Sequence, residues 1–363
     1  IVYDHSRKVK VDDEYIDIYT HYYIKELDTM EVNYEVYEEP QQNLHYTKSH
    51  HRQRHMDFIL IMANLYAMIR PYKLTKEEIK IVHAIETDIT NTFTISFDLK
   101  KYFSFNISKF RALYAFMNYL FSKKKPKQII SMVSYGHPWL IKAAKDNGAE
   151  VIEIQHGTIS DFHLGYHYPE TKKGSLEYFP DVMWLWDEYW KEMCELPVVD
   201  ENLKVTGFEY LNRQKEKYTS TEKKSNQVLV ISQGSVGPRL AEMIHENIDH
   251  LGEYNIVYKL HPGEYDRWRK YQSLEKLDQY ENVTVIDSNS TPLHRLLAES
   301  EYVIGVYSTA IFESLYFDCK IILADLPGVE YARGLVKKKL AKMFHRGDNL
   351  EKIIQGLNQD AST

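Results

Sequence analysis

The sequence predicts an α/β protein of two domains, each built on a parallel sheet with helices on both faces. Three observations point there. Short apolar strand patterns alternate with helical patterns of about ten to fifteen residues, first over 128–206 and again over 228–324, and that rhythm builds parallel sheets. Between the two runs, Gln214–Gln227 (QKEKYTSTEKKSNQ) has almost no apolar residues and reads as a linker. Several strand patterns end in small, hydroxylated or His-Pro residues, at the sheet edge where open α/β folds bind ligands.

The elements follow in order. Residues 1–50 are polar, with strand-like pieces at Ile1–Tyr3 and Tyr15–Tyr19 and a weak helix at Ile24–Met30. His51–Ile69 has helical periodicity closed by Pro71, Thr75–Glu86 forms a second helix capped by Thr75, and Ser108–Ser122 a third. Strand Gln128–Met132, helix Pro138–Asn147 with Gly148 as its stop, and strand Glu150–Ile154 open the α/β rhythm. Strand Val182–Leu185, helix Asp187–Cys194 and strand Leu203–Thr206 continue it. Beyond the linker come strands at 228–232, 255–260, 283–286, 302–306 and 320–324, with helices at 238–251, 264–278, 291–299, 309–317 and Asn349–Leu357. The expected division is an N-terminal domain over 1–212, a linker over 213–227, a second domain over 228–345, and a helix with tail over 346–363.

Composition narrows the function. At 363 residues, with 44% apolar and 27% charged residues, the chain has the makeup of a soluble globular protein. It lacks a long uninterrupted apolar run, and its first residues, mixing charged and apolar side chains, are not expected to act as a secretory leader. Cys194 and Cys319 lie far apart, as expected of reduced thiols in a cytoplasmic protein. A net charge of −7 argues against nucleic acid as a partner. Lys123–Lys125 with Lys127, and Lys337–Lys339 with Lys342, form basic patches suited to peripheral contact with an anionic membrane or acceptor, or to plain solvated helix ends. The 29 tyrosines suit either sugar stacking or core filling.

Three loops of the second half carry candidate phosphate chemistry. Ser232-Gln233-Gly234-Ser235 lies where a strand meets a helix, and glycine there lets backbone N–H groups approach an anion; such a turn also uses Gly and Ser for purely structural reasons. Lys259-Leu260-His261-Pro262-Gly263-Glu264 follows the next strand. Pro262 biases His261 to extended geometry at the sheet edge, where an imidazole can donate to phosphate. Ser308 and Thr309 begin a helix and offer hydroxyls at its positive end, and Glu313, one turn on, can accept from a ribose diol. Plain capping and a solvated helix face are the bland alternatives.

In the first half, Glu153-Ile154-Gln155-His156-Gly157 ends a strand. His156 placed there can take a proton from an acceptor hydroxyl, with Glu153 orienting it and Gly157 relaxing the backbone, or it is simply packing. Tyr135 and His137, with Gln155 and Gly157, line the acceptor side. His156, His163 and His167 lack firm ligand spacing for a metal. Phosphate-loop, dinucleotide and nucleophile-elbow motifs are absent, as is any DxD, the nearest acidic cluster being Asp12, Asp13 and Asp17.

On QHG at 155–157, VTGFEYL at 205–211, KLHPGE at 259–264 and STAIFE at 308–313, the chain resembles the two-Rossmann-domain (GT-B) glycosyltransferases, over roughly 128–341. Within them it is similar to bacterial enzymes of capsule, lipopolysaccharide and teichoic-acid assembly, of sialyltransferase-like or glycerolphosphotransferase-like type. The resemblance implies two facing Rossmann-like domains with a cleft between them and helix-rich additions in the N-terminal half. It carries nucleotide-phosphate contact to His261, Ser308 and Thr309, and a general base to His156. The expected activity is sugar transfer from a CMP-, UDP- or GDP-sugar to a surface glycan, without metal or other cofactor. Alternatives are a CDP-polyol phosphotransferase, a nucleotide-sugar epimerase on the same fold, and a non-catalytic glycan-binding subunit.

Overall fold

The computed structural model describes residues 1–4, 8–11, 13–47, 50–93 and 95–360. Asp12 of the acidic cluster and residues 361–363 of the expected tail lie outside these. The chain divides into two compact units. Unit 1 comprises Ile1–His156 and Gly165–Gly207, and unit 2 comprises Gly157–Leu164 and Phe208–Thr363.

Unit 1 opens with β1 (Val2–Asp4), the hairpin β2 (Val9–Val11) and β3 (Glu14–Ile16), α1 (His21–Thr29), β4 (Val36–Glu38) and β5 (Gln53–His55). Three long helices follow: α2 (Asp57–Ile69), α3 (Lys76–Phe93) and α4 (Leu99–Lys124). The unit closes with β6 (Gln128–Ser131), α5 (Pro138–Asp146), β7 (Glu150–Ile154), β8 (Val182–Leu185), α6 (Glu188–Met193) and β9 (Leu203–Val205). Its seven-stranded sheet has the order β5-β4-β1-β6-β7-β8-β9, every pair parallel. One face packs Met117 and Phe121 of α4 and Leu140 of α5 over Tyr3 and Ile129. The opposite face gathers Ile130, Ile152, Ile154 and Val182 with Tyr19 and Tyr23.

Unit 2 runs α7 (Glu209–Lys217), β10 (Lys224–Ile231), α8 (Gly237–His245), β11 (Asn255–Lys259), α9 (Gln272–Leu277), β12 (Val283–Ile286) and α10 (Leu293–Glu299). It ends with β13 (Ser300–Gly305), α11 (Thr309–Tyr316), β14 (Lys320–Ala324), α12 (Arg333–Lys337), β15 (Ala341–Phe344) and α13 (Leu350–Asp360). Its parallel six-stranded sheet has the order β12-β11-β10-β13-β14-β15. Val228–Val230, Val303–Ile304 and Ile321–Leu323 are continuous buried runs, as strands covered on both faces require. Both sheets of this α/β fold therefore present all their carboxyl ends on one edge.

Some expectations need correction. The stretch 214–227 is not a free linker, since α7 covers its start and β10 its end. Helix α7 buries Tyr210, Leu211 and Gln214, and its long solvent face, Lys215–Lys217, hid that stripe. Residues 53–55 form a strand before α2, and 264–278 is two 3₁₀ turns and the short α9, not one helix. The N-terminal fifty residues supply β1 and β4 to the main sheet. Gly207, where the chain passes from unit 1 to unit 2, has φ 82°, a conformation costly for any residue with a Cβ.

Candidate functional site

At the carboxyl edge of the unit 2 sheet, the loops after β10, β11 and β13 are joined to one another. The His-Pro loop folds into a reciprocal cap. Gly263 N–H donates to His261 Nδ1 (3.1 Å), and His261 N–H donates to Glu264 Oε2 (3.0 Å). Glu264 is fully buried, and its other oxygen accepts from Ser232 Oγ (3.1 Å) in the loop after β10. Gln233 Oε1 in turn accepts from Tyr307 N–H (3.1 Å), and the Ser235 and Tyr307 hydroxyls share a hydrogen bond of 2.7 Å. Tyr307 leads directly into Ser308, whose hydroxyl accepts from Ala310 N–H at the start of α11.

This wiring sets the chemistry of His261. Its Nδ1 lone pair is used by Gly263, so the neutral ring carries its proton on Nε2. The residue is exposed, and Pro262 holds the backbone just beyond it in the first position of the 3₁₀ turn. An exposed N–H donor at the carboxyl end of a parallel strand can donate to an anionic oxygen. Arg267 adds a cation: its Nη2 lies 3.4 Å from where a Cβ on Gly234 would sit.

Not every expected residue joins this group. The Lys259 ammonium donates to Ser288 O and Tyr265 Oη, each at 2.6 Å, and burial lowers its pKa. Glu313 pairs with His294 Nε2 on α10 (3.0 Å). Glu264 acts as the buried tie between loops. Gly157 belongs to unit 2, where a Cβ at its position would lie 4.0 Å from Thr309 Oγ1. Tyr307 and Arg267 were not singled out from the sequence. Tyr307 adjoins the Ser-Thr pair, and Arg267 lies one turn beyond Glu264.

At the carboxyl edge of the unit 1 sheet, His156 follows β7 and is half-buried. Its Nδ1 is 3.1 Å from Tyr166 Oη, and the Tyr166 hydroxyl donates to Glu153 Oε1. With its proton committed to Glu153, Tyr166 accepts from His156 Nδ1–H, which makes Nε2 the basic nitrogen. Tyr19 Oη donates to His156 O (2.7 Å) and anchors the turn. Glu153 is fully buried; that burial pushes its pKa up to about 7, against hydrogen bonds from Ser134 and Tyr166 that favour the charge. The sequence placed Glu153 behind His156 but gave no sign of Tyr166, ten residues downstream, as the link.

The other unit 1 candidates separate by exposure. Tyr135 is 42% exposed, its ring edge-on to Tyr166 at 5.5 Å. His137 packs against Tyr3 and Trp139 and lies 3.5 Å from Glu39. Gln155 is buried and accepts from Trp186 N–H (2.9 Å), joining the ends of β7 and β8. Val133, at the end of β6, has φ 53°. For a β-branched residue this is strained backbone, the kind that concentrates at functional turns. His45 lies beside His55 and Asp57. Its two ring nitrogens are each 2.7 Å from a carboxylate, of Glu38 and of Asp57. Burial works against charge on His45, but hydrogen bonds and charge from the two carboxylates outweigh it and raise the pKa.

No family model and no curated protein matches the chain. Solved structures do. The chain is similar to the UDP-GlcNAc 2-epimerase of Methanocaldococcus jannaschii, at 9% identity and a TM-score of 0.54, over 94% of this chain and 88% of that one. It is also similar to the UDP-GlcNAc 2-epimerase of Neisseria meningitidis, at 13% identity and a TM-score of 0.50, over 95% and 88%. The architecture is thus the double-Rossmann GT-B fold. At such identities the likeness concerns the fold.

Proposed function

We propose that the protein is a nucleotide-sugar enzyme, and specifically a glycosyltransferase that moves a sugar from a nucleotide-activated donor to a hydroxyl of a surface glycan such as capsule or lipopolysaccharide. The observation that carries this reading is the joining of three loops at the unit 2 edge by Ser232–Glu264–His261 and Gln233/Ser235–Tyr307. Those bonds hold the donor His261 N–H and the start of α11 in place before any ligand arrives, which is what stabilisation of a leaving phosphate demands. In this reading His261, Ser308 and Thr309 bind the donor phosphates, Arg267 adds charge, and Ser235 and Tyr307 shape the turn. His156 Nε2 takes the acceptor proton, and the Tyr166–Glu153 pair fixes its tautomer. The resulting imidazolium is favoured by the Glu153 carboxylate through Tyr166. The nucleoside diphosphate or monophosphate leaves with its charge met by these donors, so no divalent metal takes part.

The second reading is a nucleotide-sugar epimerase, favoured because the two similar structures named above are UDP-GlcNAc 2-epimerases. Incubation of the purified protein with UDP-, GDP- and CMP-sugars, with and without glycan acceptors, separates the two. Acceptor-dependent nucleotide release supports transfer, whereas an epimer formed from donor alone replaces it. A donor that binds without turnover under every condition would assign the chain to a non-catalytic binding role.

A further inference from the structure

Helix α2 of unit 1 is apolar on its solvent side as well as on its packed side. Its thirteen residues, DFILIMANLYAMI, hold only Asp57 and Asn64 as polar side chains. The side packed inward buries the small Ala63 and Ala67, with Ile59 and Leu60 partly buried against the core. Most of its large side chains face out: Phe58 is 72% exposed, Ile61 56%, Met68 60% and Ile69 77%. Spacings of three, four and seven along 58, 61, 62, 65, 68 and 69 place them on one stripe. Single exposed apolar residues mean little, but this stripe continues. Met68 and Ile69 share the wall of a broad groove of about 1660 Å³ with Leu74, Ile79, Phe97 and Tyr102 from α3, α4 and the segments joining the helices. A contiguous apolar face of this kind marks an interaction surface.

Charge identifies the occupant. The same groove carries Arg70, Lys73, Lys100, Lys101 and Arg111 against one carboxylate, Asp98. Over residues 57–127 there are twelve Lys and Arg against six Asp and Glu, in a chain whose net charge is −7. An exposed apolar surface therefore coincides with a basic segment of an acidic protein. A face shared with a second copy would be depleted in lysine, whereas cations around an apolar helix match acidic headgroups over acyl chains. No helix among the described residues is long and apolar enough to cross a membrane.

We propose that the α2–α4 face docks on the surface of an anionic lipid bilayer, with α2 lying in the plane of the interface. The docking surface is independent of the assigned reaction. The test is co-sedimentation of the full chain with vesicles of phosphatidylcholine alone or mixed with phosphatidylglycerol, at low and high salt. Partition into the phosphatidylglycerol vesicles should exceed that into phosphatidylcholine at least ~tenfold and fall with salt, roughly fivefold being lost for each basic side chain removed. Lys100→Glu with Lys101→Glu should abolish the lipid preference, and Ile61→Glu with Ile69→Glu should abolish binding. All four side chains are exposed, and circular dichroism melting checks that the fold survives. Equal binding to both vesicle types, or none to either, overturns the proposal whatever the variants do. A stable dimer that Ile69→Glu converts to monomer, without vesicle binding, would give the face to a second copy instead.

Discussion

Three side chains of unit 1 carry the proposed proton transfer. Glu153, Tyr166 and His156 form a line in which each group sets the proton of the next. His156→Ala should lower turnover by about 10² or more with little change in donor affinity; steady-state kinetics measures both. Tyr166→Phe keeps the ring but cuts the line, so kcat should fall about tenfold while KM for donor stays level. Glu153 adds a pH signature. Its folded pKa, about 7, stands above its ordinary 4.5 because burial disfavours the charge. A raised carboxyl contributes its stability below the unfolded pKa and loses it as pH climbs through the folded one, so stability should decline between pH 4.5 and 7 by up to about 3 kcal/mol and level off above. Denaturant melts of Glu153→Gln should show this slope flattened. Turnover of the wild type should rise as pH climbs through about 7, since the carboxylate form selects the Nε2 lone pair.

Loops, more than helices or strands, make the unit 2 edge. Gly237 shows how tightly they are built. A Cβ there would collide with Glu264 Oε1 and lie 2.9 Å from Ser232 Oγ, at the centre of the tie between two loops. Helix propensity alone makes Gly→Ala in α8 stabilising by about 1 kcal/mol. Overpacking reverses the sign, and Gly237→Ala should cost roughly 1–3 kcal/mol in a thermal melt. The local patterns here were readable in sequence: Ser308 as a helix cap, His261 held extended by Pro262, and strands 283–286 and 320–324 to the residue. Partners distant in sequence were not. Ser232 and Glu264 are thirty-two residues apart and Ser235 and Tyr307 seventy-two, and no local periodicity encodes such pairs. Glu313 had the right chemistry for a ribose, yet its contact with His294 depends on tertiary packing, α10 and α11 both lying against α7.

On the scale of the molecule, the alternation of strands and helices revealed both parallel sheets, because buried β-branched runs are a strong local signal. The elements it missed include the three-residue β2, β4 and β5, the short α12, the edge strand β15, and the polar first residues of β10, which extend that strand through backbone bonds beside β13. The helical periodicity of α2 was legible in sequence but the outward direction of its apolar stripe was not, since periodicity locates a face but not the solvent it meets. The central claim is that the carboxyl edge of the unit 2 sheet receives a nucleotide phosphate. Calorimetric titration of UDP, CDP, GDP and CMP into the wild type and His261→Ala tests it most directly. At least one nucleotide should bind the wild type and weaken about 10- to 100-fold in the variant, the loss expected for one hydrogen bond to a charged group. No binding by any of the four, or equal affinity in both proteins, would contradict it.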